Sequence, residues 1–132
     1  MSNPLTDLRQ QIVDGLRAKG FNAHSPLPEV VDVPVVWVVP GDPYLSHEGA
    51  TFGGYIVRHQ VNFAAAPGTN EVAAEALDAM AVEVLDALDA LGETDELAGL
   101  VTGEVDRIGL ADLSGQSYLA GTVNIRTEIR RS

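Results

Sequence analysis

Three histidines, no cysteine and a surplus of carboxylates set the chemistry open to this chain of 132 residues. Without cysteine there is no disulfide, no thiolate metal site and no thiol nucleophile. His24, His47 and His59 lack the i, i+4 spacing by which a helix offers two imidazoles to one metal ion. His47 has Asp42 and Glu48 near it in a loop-like stretch, which makes it the strongest candidate for acid–base work. His59 falls on the apolar side of an alternating segment, where a hydrogen-bonded core or interface histidine is expected. Ser114 lacks the preceding glycine of a nucleophile elbow, and Gly53 and Gly54 are not followed by the Gly-Lys-Ser/Thr of a phosphate loop. The acids between Glu71 and Asp89 read as a solvated helix face, which would hold Mg²⁺ or Ca²⁺ only if two subunits brought such faces together. No catalytic, cofactor or metal site is expected, and the residues favour binding or assembly over catalysis.

The element that must position everything else is a helix over 69–92. Thr69 or Asn70 can cap its free N–H groups, and Glu71 places negative charge in the first turn, where the helix dipole favours it. Leu77, Met80, Ala81, Val84, Leu88 and Leu91 recur every three or four residues, and the acids fall largely off that line. Gly92 stands where a helix commonly ends. At ~1.5 Å per residue the rod is about 30 Å long, so something flat and apolar must lie beneath it.

Candidate strands supply that surface. Residues 55–66 alternate, with Tyr55, Val57, His59, Val61, Phe63 and Ala65 on one side and Arg58, Gln60 and Asn62 on the other. Residues 119–129 alternate as well, with Leu119, Val123, Ile125 and Ile129 opposing Thr122, Asn124, Arg126 and Glu128. Residues 101–108 form a weaker strand broken by Gly103, joined to the last one by turn residues at 111–116. Pro34 and Pro40 confine another strand to 35–39, whose unbroken apolar character, Trp37 included, requires cover on both faces or a partner chain.

A short helix begins at Asn3 and Pro4, buries Leu5, Leu8, Ile12, Val13 and Leu16, and ends at Gly20, with Gly15 weakening it. Residues 21–24 form a brief extended piece. Residues 40–54 read as a long loop, which is unusual in a compact domain unless it serves function. As a partner-binding arm it would present Asp42, Tyr44, Leu45, His47 and Phe52; as a flap it would pack its aromatics over the core.

The length allows one hydrophobic core, and a composition 45% hydrophobic but only 5% aromatic builds it from Val, Leu, Ile and Ala. A single domain spanning 1–132 is expected. Eight basic against 19 acidic residues leave a net charge of −11, which argues against gripping nucleic acid. No run of about 18 apolar residues or basic-flanked leader points to membrane insertion or secretion. Consecutive strands with short turns favour antiparallel pairing, so the expected fold is a two-layer α+β sandwich: a mainly antiparallel sheet of about four strands under one long and one short helix.

The order of elements resembles the tail terminator family of long-tailed bacteriophages, particularly versions from phages of actinobacteria. The resemblance runs over nearly the whole chain. It rests on the short first helix, the segment VPVVWVVPGDPYL, TFGG leading into a polar-alternating strand, the turn PGTNE, the long Ala/Leu/Asp helix, and a closing hairpin ending SYLAGTVNIRTEI. It implies a subunit of a hexameric ring that caps the tail tube, stops tube polymerisation and offers the surface that the head connector joins. The implied partners are further copies of the chain, the tube protein and the connector, with DNA passing through the lumen without specific binding. The implied location is the head-proximal end of the virion tail, reached by assembly in the host cytoplasm. No catalytic residue comes with the resemblance. Head–tail connector proteins of the same phages are equally small and ring-forming, and a small α+β enzyme or ligand-binding domain using the 40–54 loop with His47 or His59 stays open beside them.

Overall fold

The computed structural model describes residues 4–25, 32–46, 54–67, 71–94, 97, 99–113 and 116–130, with the backbone alone at 42, 66, 67, 107–113, 116 and 130. In chain order come α1 (Pro4–Ala18), β1 (Ala23–His24), β2 (Val35–Ser46), β3 (Gly54–Pro67), α2 (Glu71–Gly92), β4 (Leu100–Leu113) and β5 (Gln116–Arg130). The strands form one sheet in the order β1-β2-β3-β5-β4. All neighbours are antiparallel except β1, which runs parallel to β2. The α+β class is as expected; the sheet has five strands rather than four, because residues 23–24 bond to Val36 and Trp37 and so count as an edge strand.

Both helices lie on one face of the sheet. Leu77, Met80, Val84, Leu88 and Leu91 of α2 and Leu8, Ile12, Val13 and Leu16 of α1 pack on Val36, Val38, Val57, Val61, Phe63, Val123 and Ile125 in one continuous core. The helices meet at Gly15, where an added Cβ would stand 2.6 Å from a Leu91 methyl. The glycine that weakens α1 locally therefore lets the two helices approach. Gly20 takes a φ of 96° and closes α1, a backbone shape that side chains resist.

The far face is not uniformly polar, as the alternation of β3 alone suggests. Val35, Trp37, Ala64, Tyr118 and Ala120 form a second, smaller core there, and Val36 and Val38 serve the first. This is why 35–39 is apolar throughout: both of its faces are covered.

Within the expected loop over 40–54, residues 40–46 and 54 are strand, and 47–53 lie outside the described residues. β2 continues to Ser46 through a bulge, in which the chain advances from Pro40 to Leu45 while β3 moves only from His59 to Val57. Pro40 and Pro43 fit there because a bulge frees the chain from ladder hydrogen bonds that proline cannot donate. The closing hairpin is also longer than the turn residues at 111–116 imply, with β4 running to Leu113 and β5 starting at Gln116.

Candidate partner interface

Of the residues expected at a partner-binding arm, Tyr44 and Leu45 have described side chains. Tyr44 turns inward and packs on the main core, its ring edge-on to His59 at 5.6 Å between centroids. Leu45, the next residue, is 43% exposed. The bulge thus splits the two, one serving the core and one the surface. Asp42 is placed in β2 by its backbone, and His47 and Phe52 lie outside the described residues.

His59 is buried against the helices, but the hydrogen-bonded histidine expected there is not what the fold holds. Neither ring nitrogen has a hydrogen-bond partner among the described residues. Burial, and secondarily the Arg9 guanidinium, push its pKa from 6.5 down to about 4, so the ring is neutral at pH 7. No hydrogen bond links it to a carboxylate or hydroxyl among the described residues. Among the described residues no group of three or more His, Asp or Glu side chains could hold a metal ion. A cleft of about 680 Å³ between α1, α2 and the start of β2 is floored by Phe21, Val33, Ala76 and Met80, with Lys19, Asp32 and Glu83 on its rim.

The surface that sequence reasoning missed lies around β4 and the far face of the central strands. β4 is an edge strand, and no described strand pairs with its outer side. Val101 and Val105 on it are 49% and 40% exposed. Beside this edge, three consecutive cross-strand pairs of β3 and β5 are polar: Arg58 opposite Arg126, Gln60 opposite Asn124, and Asn62 opposite Thr122. Asn124 donates to Asp106 of β4 at 3.1 Å, while the Asn62 amide oxygen and the Thr122 hydroxyl are buried without a partner among the described residues. The outer strands bulge on both sides of this ladder, β2 after Pro40 and β4 after Thr102. Between them lies a trough of about 400 Å³ lined by Gly41, Arg58, Gln60, Val101, Asn124 and Arg126. The signal was present in the two alternating polar faces, but only the strand register shows that they stand side by side.

Fold and surface together define a two-layer α+β domain with an open sheet edge and a polar trough next to it. No protein-family model matches the chain, and no curated protein is significantly similar to it.

Proposed function

We propose that this protein is a structural subunit of a phage tail, a terminator that assembles as a ring on the last ring of the tail tube and ends its polymerisation. The observation that carries the reading is the 14-residue β4 edge, open among the described residues and bearing exposed Val101 and Val105. Unpaired strand edges with apolar side chains are surfaces for another chain, and proteins that stay monomeric usually blunt them. A ring uses heterologous contacts, in which one patch meets a different patch on the neighbour. Here the β4 edge lies at one end of the sheet. The outer part of β2, with Leu45 exposed, lies toward the other and is left for a tube or connector contact. The order of elements that resembles the terminator family supports the same reading.

The test is negative-stain electron microscopy of the purified protein mixed with polymerising tail-tube protein from the same source. Tubes of bounded length carrying extra density at one end are expected. Tubes that grow unchanged with bare ends would sink the proposal.

A further inference from the structure

The trough on the far face is a built feature that tube capping alone leaves unexplained. Arg58 and Arg126 stand directly opposite each other on the two central strands. Like charges in that relation destabilise a sheet. Arg58 reaches only the Ser46 hydroxyl, at 3.4 Å, and Arg126 makes no hydrogen bond or ion pair among the described residues. In a chain with 19 acids and 8 bases, two bases set side by side with no acid bonded to either are the reverse of what composition favours. Four residues further along the same ladder stand the oxygens of Asn62 and Thr122, which have no hydrogen-bond partner among the described residues, so this face carries buried polar groups that the described residues do not satisfy.

Paired guanidinium groups suit an oxyanion, and a carboxylate in particular, which they can hold through parallel N–H···O bonds. A polyanion such as nucleic acid would approach against the long-range field of a net charge of −11. A carboxylate on a protein surface that also offers apolar contact matches the rim, where Val101 is half-exposed. The chain displays such a surface itself. The outer stripe of α2 exposes Glu71, Glu75, Glu83 and Asp86, with Val72 and Val82 among them at 70% and 60% exposure.

We propose that the trough is a carboxylate-binding site filled by the acidic outer stripe of α2 from a second copy of this chain. This rests on the assembly reading above and names its contact between subunits. Trough and stripe lie on opposite faces of the two-layer subunit, so each copy receives one neighbour and is received by another. That is the head-to-tail relation from which rings close.

Sedimentation equilibrium of the full chain tests it by comparing Arg126→Gln with Arg17→Gln. Both remove one positive charge, but Arg17 is half-exposed in the last turn of α1 and lines neither the trough nor the cleft that Glu83 borders. The association constant is expected to fall about tenfold or more for Arg126→Gln and to stay within about twofold for Arg17→Gln. A chain carrying Arg58→Glu and Arg126→Glu should regain association when mixed with one carrying Glu75→Arg and Glu83→Arg. Circular dichroism and urea midpoints establish that each variant is folded.

Three results overturn the proposal: equal association of the two glutamine variants, a wild-type chain that stays monomeric up to about 1 mM, or Arg126-dependent stabilisation by inorganic phosphate with association unchanged. Tube capping separates the two readings. Capping by an Arg126→Gln chain whose association is undiminished removes this contact and leaves the terminator. Arg126-dependent association without capping does the opposite.

Discussion

A histidine with both ring nitrogens buried and unpartnered burdens a fold twice, through the hydrogen bonds it forgoes and through the proton it refuses. His59 is in that position beneath α1. Its pKa is about 4 in the fold against 6.5 in the unfolded chain, so between those values the unfolded state takes up a proton that the folded state does not. Stability is therefore complete above pH 6.5 and declines as the pH falls toward 4, by about 3 kcal/mol in all from this one group. His59→Leu should flatten that part of the profile and raise stability at pH 7 by about 1–2 kcal/mol, read from urea midpoints at pH 7 and 4.5. An acid slope identical to wild type would place the sensitivity elsewhere. A second residue-scale prediction concerns Gly121, which lies opposite Phe63 in the β3–β5 ladder. A Cβ there would stand 2.6 Å from the Phe63 Cζ, on a fully buried ring that would have to shift as a unit. Gly121→Ala should cost about 1–3 kcal/mol through overpacking, and thermal denaturation will measure it.

At the scale of elements, the same added methyl has a different outcome at the helix crossing. At Gly15 the clash is with the free end of Leu91, a side chain that can change rotamer, and alanine restores about 1 kcal/mol of helix propensity. Gly15→Ala should leave the melting temperature within a few degrees of wild type, and a fall as large as that of Gly121→Ala would mean that α1 and α2 cannot readjust. The sequence made this helix pair legible because a 3.6-residue period sustained over Glu71–Gly92 has no other reading. The alternating faces of β3 and β5 were legible for the same reason, each carrying its own period of two. The continuation of β2 was not, since the bulge at Pro40–Leu45 destroys the period that marks a strand and splits Tyr44 from Leu45. Nor was the arginine pair, because nothing local to Arg58 or Arg126 encodes the register that sets them opposite. The β4 edge makes its own prediction. Lysine at Val101 and Val105 should leave the stability of a single subunit within about 1 kcal/mol, because both side chains are about half exposed and a lysine stem can keep their apolar contacts. It should also abolish tube capping, because charge blocks edge pairing. Capping at wild-type levels by the double variant would exclude β4 from the interface.

On the scale of the whole molecule, the proposed ring must be reconciled with the DNA that a tail lets through. If a net charge of −11 per subunit is repeated around such a ring, its field repels phosphates over distances of about a Debye length. The basic trough would be the exception within that field, and it is compatible with free passage in the proposed ring when a neighbour's carboxylates occupy it. The chain should therefore show no measurable affinity for a labelled 30-base-pair duplex in fluorescence anisotropy at about 50 mM salt, a condition that exaggerates any phosphate contact. Assembled rings should bind no better than the free subunit, since assembly covers the two arginines rather than aligning them along a strand. Affinity that appears in free subunits and vanishes with Arg126→Gln would mean that the trough reads phosphate. Affinity that grows on assembly would mean that the lumen is basic, and a terminator that lets DNA slide through would then need a different electrostatic account.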